Sequence, residues 1–374
     1  MELPRGTIKH RPEDFVVDEI PAYEPSGSGA HLYVRFEKKN LTTDEAVRAF
    51  ARALGVERRD IGVAGLKDKV GVTTQWISLP ANDTSLDERV GGLALEGVTI
   101  LEHRRHGNKL KTGHLKGNRF TIVVRGIDAS RLDEVAAALA RIGSEGVPNA
   151  FGAQRFGRDG DTHERARAWL TGKERAPSDP RLRRFHFSAL QSSVFNAVLA
   201  HRVETGTWNT PLLGDLLKKE ETGGIFVCTD VQLDRQRADT GELCPTGPIV
   251  GDRMRQPEPE AFDLEQRLMA PLIEGIDLRR ARALGEGTRR PLRLRVAELS
   301  HSSVDSSLDE AASRAEDAGG GRHAECAMRV RFVLPKGAYA TTVLSNAFEV
   351  LDGGLPAGPS DREERQLATR SEEE

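Results

Sequence analysis

Alternation of apolar and polar residues predicts strands early in the chain. The alternation is clear at 15–20 and at 31–38, where Leu32, Val34 and Phe36 share one face. A turn-rich segment of Pro, Gly and Ser separates these two stretches. Both stretches therefore have the pattern of half-buried strands.

Helical spacing appears after these strands. Thr42 and Glu45 have the spacing of a capping box, and Gly55 follows the last apolar residue, which predicts a helix ending near Leu54. An apolar stripe at helical spacing predicts a second helix over 130–142. Strands with helices at these intervals indicate an α+β unit with a mixed sheet covered on one face by helices.

The segment 61–80 predicts two strands joined by a charged turn that carries Asp68. A carboxylate at a strand end, between Gly65 and Gly71, is a common way to present a reactive group. Asp and Gly are also the expected residues of an ordinary solvated hairpin turn. The local pattern alone favours that ordinary hairpin.

The composition changes along the chain and predicts one domain inserted into another. A helix-rich block follows the first 145 residues, and strand patterns return only after a stretch dominated by Ser, Asp, Glu, Ala and Gly. The predicted parts are an N-terminal part of one domain (1–145), an inserted helix-rich α/β domain (146–297), a low-complexity insertion (298–323), a C-terminal part of the first domain (324–355) and a disordered tail (356–374).

The overall composition is that of an ordinary soluble protein. Of the 374 residues, 38% are hydrophobic and 30% charged, and no apolar run is long enough for a membrane span or a signal peptide. We therefore expect a cytoplasmic protein with no membrane contact. The three cysteines form no CxxC pair, which supports neither a disulfide framework nor a zinc site.

A local basic run stands out against the formal net charge of −3. No acidic residue occurs between His103 and Ile127, and we take five basic residues of this run as candidate RNA contacts: Arg104, Arg105, Lys109, Lys111 and Lys116. The pattern predicts a basic loop before a strand at 120–125, suited to a polyanion whose bases can stack. A solvated surface explains such a run about equally well.

Competing chemical motifs are weak. The segment GVAGLKD fails the phosphate-loop pattern, and neither an HExxH motif nor a serine elbow occurs in the sequence. The sequence therefore offers a carboxylate on a turn and a basic segment with an aromatic residue, without a cofactor signature.

Five strings in the sequence resemble, in order, the motifs of the TruD family of tRNA pseudouridine synthases. They are AGLKDKVGVTTQW, LKGNRF, GVPNAFGAQRFG, SALQSSVFN and RFVLPKGAYATTVL. The resemblance covers about residues 7 to 344. It implies the mixed-sheet pseudouridine synthase fold, assembled from both ends of the chain, with the family's insertion domain between them.

The resemblance also implies a function. The family isomerises a uridine of tRNA, normally at position thirteen in the D-arm, to pseudouridine, with no metal or organic cofactor. We expect tRNA as the partner, no protein partner and a monomer. The alternatives are a catalytically silent tRNA-binding or tRNA-folding protein of the same fold, and a nucleoside hydrolase, for which no second acid stands out.

Site residues follow from the matched motifs. Asp68 matches the essential aspartate and Lys9 a lysine expected beside it, although an ordinary surface lysine is an alternative for Lys9. Asn118 is expected near the aspartate or the uracil edge, and Phe120 is expected to stack on the target base, unless it is simply a core residue. Gln75 supports the pocket, and Arg155 of the NAFGAQRFG string is a further candidate RNA contact.

Overall fold

The computed structural model describes residues 2–81, 84–157, 159–304 and 325–354. In chain order the strands are β1 (Arg5–Ile8), β2 (Phe15–Pro21), β3 (His31–Lys39), β4 (Gly62–Val63), β5 (Val72–Pro80), β6 (Val98–His106), β7 (Leu115–Asp128), β8 (Val147–Pro148), β9 (Leu216–Lys219), β10 (Ile225–Val227), β11 (Leu243–Ile249), β12 (Thr288–Pro291), β13 (Arg293–Leu294), β14 (Ala297–Val304), β15 (Glu325–Pro335) and β16 (Glu349–Asp352).

The α-helices of the same ranges are α1 (Thr43–Leu54), α2 (Ser85–Gly91), α3 (Leu132–Glu145), α4 (Thr162–Leu170), α5 (Pro180–Glu204), α6 (Val231–Asp239), α7 (Pro259–Ile273) and α8 (Ala340–Leu344). Internal packing divides the chain into two units, residues 1–143 with 296–374 and residues 144–295. The sequence prediction placed the inserted domain at 146–297. We describe the two units separately.

The first unit is built on a mixed sheet of ten strands. Its continuous path runs in the order β14, β15, β7, β2, β5, β3, β6, and β2 and β5 form its parallel pair. Strand β1 pairs in parallel with β16 and meets β7 where Thr7 faces Arg125, while β4 pairs with β5. Strands from both ends of the chain therefore complete one sheet, which confirms the predicted α+β class with a mixed sheet.

Helix α1 forms where the capping signals predicted it. Thr42 Oγ1 accepts a hydrogen bond from the Glu45 backbone N–H at 3.1 Å, and the Glu45 carboxylate accepts one from the Thr42 backbone N–H at 2.8 Å. Gly55 has a left-handed φ of 64° and ends the helix. The rings of Phe36 and Phe50 pack edge to face at 5.2 Å, which joins α1 to the predicted inner face of β3.

The predicted hairpin around Asp68 is confirmed, although its first strand is short. Strand β4 has two residues, with Gly62 facing Ser78 and Val63 facing Ile77 of β5. Residues 64–71 form the loop that joins these strands. The candidate carboxylate therefore lies on a loop of eight residues rather than in a tight turn.

The prediction of a basic loop before a strand at 120–125 was wrong in its bounds. Strand β6 extends to His106, and β7 begins at Leu115, so only the residues between them form the connection. Strand β6 pairs with β3 as far as His106, and β7 pairs with both β2 and β15. These ladders keep polar residues in extended conformation although their sequence lacks the apolar alternation of a strand.

The predicted low-complexity insertion at 298–323 also begins too early. Residues up to Val304 belong to β14, which pairs antiparallel with β15. Pairing on an exposed edge needs few apolar side chains, so composition alone gave no sign of this strand. The remainder of that predicted insertion, from 305, and the predicted tail at 356–374 lie outside the described residues.

The second unit combines helices α4 to α7 with a sheet in the order β10, β9, β11, β12. Its longest helix, α5, has 25 residues. A buried ion pair joins Arg202 near the end of α5 to Asp215, with Nη2 and Oδ2 2.9 Å apart. Across the described ranges, none of the helices combines the length and apolar character needed to span a membrane.

Candidate active site

Asp68 has a half-exposed carboxylate, and a buried lysine binds the main chain of the same residue. Its side chain is 51% exposed, whereas its carbonyl oxygen accepts a hydrogen bond from Lys38 Nζ at 2.7 Å. Gly71, which closes the loop, has a φ of 146°, and a Cβ there would lie 2.5 Å from the Phe15 carbonyl oxygen. This glycine therefore allows the loop to approach β2 closely.

The residue before Asp68 is fixed through a chain of buried hydrogen bonds. The Lys67 backbone N–H donates to Thr43 Oγ1 at 3.0 Å, and this hydroxyl lies 3.0 Å from Gln75 Oε1, to which it donates. Gln75 is fully buried, and its Nε2 has no hydrogen-bond partner within the described part of the chain. The predicted support residue Gln75 thus lies beneath the loop and braces it.

Glu19 is a site residue that the sequence did not reveal. Its Oε2 lies 2.6 Å from Lys67 Nζ, and its Oε1 accepts a hydrogen bond from the Trp76 backbone N–H at 3.1 Å. The alternation along β2 places position 19 on the inward face of the strand. A charged residue at such a position is the sequence signal that could have identified Glu19 as a site residue. The pair also places Lys67 in the interior rather than in solvent.

The structure brings Lys9 and Asp68 together, as the sequence predicted. Lys9 Nζ lies 3.4 Å from Asp68 Oδ1 and 3.5 Å from Asp352 Oδ2, and it stands 4.6 Å from the centre of the Phe15 ring. The Lys9 backbone has a φ of 56°, which is unfavourable for a residue with a Cβ. A strained backbone conformation that persists at a candidate site is consistent with a functional constraint.

Asn118 and Phe120 lie on β7, which pairs antiparallel with β2. Asn118 faces Glu19 of β2, and its Oδ1 is buried without a hydrogen-bond partner among the residues described. Phe120 is 5% exposed, stacks on Phe332 with ring centres 5.4 Å apart, and touches the edge of Phe15. Phe15 therefore connects the ring of Phe120 with the ammonium group of Lys9.

This arrangement can supply the chemistry at a carbon centre next to a nucleobase that the family resemblance implies. The half-exposed carboxylate of Asp68 can accept a proton or attack an electrophilic carbon, and the Lys9 ammonium group lies 3.4 Å from it. Asn118 Oδ1, which accepts no hydrogen bond from the described residues, can accept one from an N–H group of a ligand. Within the described ranges, His, Cys, Asp and Glu side chains form no group of three or more that could hold a metal ion.

The candidate RNA contacts differ in their solvent exposure and in their contacts with other protein groups. Lys111 and Lys116 are exposed, and Arg104 is exposed with Nε 3.4 Å from Glu102. Lys109 Nζ donates to the Arg59 carbonyl oxygen at 2.8 Å. The guanidinium of Arg105 is bound to Asp87 and to the Ala81 carbonyl oxygen, which argues against its predicted role and makes it a support for the region beside α2.

Arg155 lies in the second unit and is engaged by its neighbours there. Its Nε lies 3.2 Å from Ser192 Oγ, and its guanidinium stands over the Phe151 ring at 5.4 Å. Asn196 holds the backbone of Phe151 through both its N–H and its carbonyl, each at 2.9 Å. The NAFGAQRFG string therefore forms a braced corner, and the role of Arg155 in RNA binding stays a prediction.

Comparison with known proteins gives one consistent result. The family profile "tRNA pseudouridine synthase D (TruD)" matches residues 4–177 and 176–347. A tRNA pseudouridine synthase D of Anaeromyxobacter sp. (strain Fw109-5) is 44% identical over 372 residues, covering 97% of each chain. Its counterpart from Thermus thermophilus is 38% identical over 92% of this chain and 89% of that one.

A solved structure also matches. The crystal structure of the putative tRNA pseudouridine synthase D (TruD) from Methanosarcina mazei superimposes with a TM-score of 0.75, covering 94% of this chain and 95% of the other. At 23% sequence identity, this match establishes the shared fold alone.

Proposed function

The chain belongs to the TruD family of tRNA pseudouridine synthases, and we propose that it isomerises the D-arm uridine at position thirteen with Asp68 as its catalyst. Conversion of uridine to pseudouridine in tRNA is the activity of this family. The observation that supports the assignment of Asp68 is the contact between its half-exposed carboxylate and Lys9 Nζ, 3.4 Å apart. The target position rests on the family resemblance.

The reaction moves bonds within one nucleotide. The bond between C1′ of the ribose and N1 of uracil breaks, the uracil turns, and a bond forms between C1′ and C5. The proton on C5 then leaves and N1 gains a proton. Because no atom or electron is gained or lost overall, no oxidant, reductant or organic cofactor enters the balance.

Asp68 can serve this reaction in two ways. Its carboxylate can remove the C2′ proton of the ribose, which gives a glycal intermediate, or it can attack C1′ and form an acylal. Lys9 Nζ, 3.4 Å from Asp68 Oδ1, is the cation beside the carboxylate in both routes. Asn118 Oδ1 would receive the N3–H of the detached uracil, and the ring of Phe120 would limit how that uracil turns.

The target base must leave its stack before Asp68 can reach it. Extruding a nucleotide costs a few kcal/mol, which contacts in the pocket must offset. Lys111, Lys116 and Arg104 are the exposed cations of the basic run and would hold the tRNA backbone. This gives a protein with negative net charge a local surface for RNA.

The decisive experiment uses tRNA that carries tritium at C5 of its uridines. The wild-type protein should release tritium and leave the tRNA chain intact, whereas free uracil would indicate a hydrolase and neither product would indicate a silent binding protein. Asp68→Asn should release none while it binds tRNA within about threefold of wild type. Asp60→Asn, an exposed carboxylate shortly before β4, is the matched control and should keep full activity. Retained turnover in Asp68→Asn would remove Asp68 as the catalyst.

The target position needs its own substrate. A tRNA with cytidine at position thirteen should release no tritium, and release that persists would place the reaction at another uridine.

A further inference from the structure

Lys38 is a fully buried lysine at a position that the strand pattern reserves for apolar side chains. It follows Leu32, Val34 and Phe36 on the inner face of β3, and its exposed fraction is 0%. Burial of an ammonium group is costly unless its N–H groups find acceptors. A lysine kept at such a position therefore requires a specific reason.

Lys38 Nζ donates hydrogen bonds to two backbone carbonyl oxygens. Nζ donates to the Asp68 carbonyl oxygen at 2.7 Å and to that of Leu41. Leu41 lies between β3 and α1, so Lys38 connects the loop of the candidate catalyst to a rigid part of the fold. The Asp68 side chain itself stays half exposed, and Lys38 therefore fixes the main chain that aims it.

Neighbouring contacts fix the residue before Asp68 in the same loop. Thr43 and Glu19 hold the backbone N–H and the ammonium group of Lys67, respectively. Lys38 binds Asp68 itself, through a hydrogen bond from Nζ to the Asp68 carbonyl oxygen. Together they fix two successive residues of the loop.

Nearby negative charge offsets the ammonium group. Burial favours the neutral form of Glu45, but hydrogen bonds from Thr42 together with the charges of Lys69 and Lys38 lower the pKa of this carboxyl. Glu45 thus supplies negative charge close to Lys38 in the first turn of α1.

We propose that Lys38 is a positioning residue for the reaction, which orients the Asp68 carboxylate by binding the Asp68 carbonyl oxygen. This inference rests on the proposed role of Asp68 and goes beyond it. Misplacement of a reacting group by about 1 Å can cost roughly a hundredfold in rate. A residue that only stabilised the fold would lower the melting temperature without a selective loss of turnover.

The test compares Lys38→Met with Lys39→Met. Methionine keeps most of the volume of Lys38 but cannot donate. Lys39 is the next residue, exposed and paired with Glu13 outside the site, so it is the matched control. We expect kcat of Lys38→Met to fall about a hundredfold or more at unchanged KM and tRNA affinity, and Lys39→Met to behave as wild type. Hydrogen exchange of the amides at 66–70 should accelerate in Lys38→Met alone.

A conservative variant of Lys38 should rescue activity, and one outcome of the comparison would overturn the proposal. Lys38→Arg retains donors and charge, and should be at least about tenfold more active than Lys38→Met. Equal kcat in the folded Lys38→Met and Lys39→Met proteins would overturn the proposal. If circular dichroism shows that Lys38→Met does not fold, Lys38→Gln takes its place and the same comparison with Lys39→Met decides.

The failure of this inference can be separated from the failure of the proposed function. A wild-type protein that releases no tritium refutes the function, and an active Asp68→Asn refutes the catalyst and the Lys38 proposal with it. An active wild type, an inactive Asp68→Asn and an unimpaired Lys38→Met refute the Lys38 proposal alone.

Discussion

Lys67 and Glu19 form a buried ion pair immediately before the candidate catalyst, with Lys67 Nζ 2.6 Å from Glu19 Oε2. The side chains are 4% and 1% exposed. Glu19 also accepts a hydrogen bond from the Trp76 backbone, so the pair joins β2, β5 and the loop of Asp68. A charged pair at this depth fixes geometry, whereas its net contribution to stability is small compared with the cost of breaking it.

Removal of one partner of this pair should destabilise the first unit strongly. Lys67→Met leaves the Glu19 carboxylate buried and unpaired, at an expected cost of about 3–5 kcal/mol in the free energy of unfolding. The double variant Glu19→Gln/Lys67→Met should recover much of this loss. Thermal and urea unfolding measure both values.

The control for this experiment is Lys69→Met on the same loop. The Lys69 side chain is 35% exposed and its Nζ lies 3.9 Å from Glu45, so the change should be about 1 kcal/mol or less. A Lys67→Met protein as stable as Lys69→Met would show that the pair is not buried in solution.

Phe120 should contribute to turnover because a base can stack on its flat ring. It should also contribute to stability because its side chain fills volume in the core. Phe120→Leu keeps an apolar side chain but loses the face on which a base can stack, a contribution of about 1–3 kcal/mol in kcat/KM. Phe332→Leu is the control, because Phe332 packs against Phe120 from β15 and is 1% exposed. Steady-state kinetics on tRNA and melting temperatures separate the two effects.

The comparison has a clear negative outcome. If Phe120→Leu and Phe332→Leu lose equal stability and neither loses turnover, Phe120 is a core residue and another group contacts the uracil. Phe120→Ala is less informative, since a cavity of that size costs about 3–5 kcal/mol by itself.

Exposed lysines of the basic run should set the salt dependence of tRNA binding. Lys111→Ala/Lys116→Ala should reduce the slope of log Kd against log salt concentration by roughly one unit per lost phosphate contact. Arg48→Ala is the control, since Arg48 is exposed on α1 but paired with Asp44. Filter binding between low and moderate salt measures the slopes, and identical slopes would remove these lysines from the RNA surface.

The sequence predicted the features that depend on local patterns. Alternation placed β2 and β3 within one residue of their observed ends, and the capping box and Gly55 located α1. The beginnings of β7 and β14 were not predicted, because pairing with neighbouring strands, rather than local apolar alternation, keeps those residues extended.

Only those residues of the candidate site that belong to a family motif could be predicted from the sequence. The family resemblance predicts Lys9 beside Asp68, and Lys9 Nζ lies 3.4 Å from Asp68 Oδ1. Glu19 and Lys38 escaped notice because their importance depends on partners far away in sequence. A single charged residue on the inward face of a predicted strand was the common signal, and it gains meaning only when the partner is known.

The cysteines should respond to thiol reagents according to burial. Burial raises the pKa of the Cys228 thiol to about 12 and that of Cys244 to about 11, and both side chains are fully buried. The thiolate is the reactive form, and a raised pKa keeps both thiols protonated up to strongly alkaline pH. Cys326 is partly exposed. In the native protein at pH 8, Ellman's reagent should therefore titrate one thiol quickly, and it should titrate all three after denaturation. Cys326→Ser should abolish the fast reaction, and a fast native reaction that persists in this variant would contradict the burial of Cys228 and Cys244.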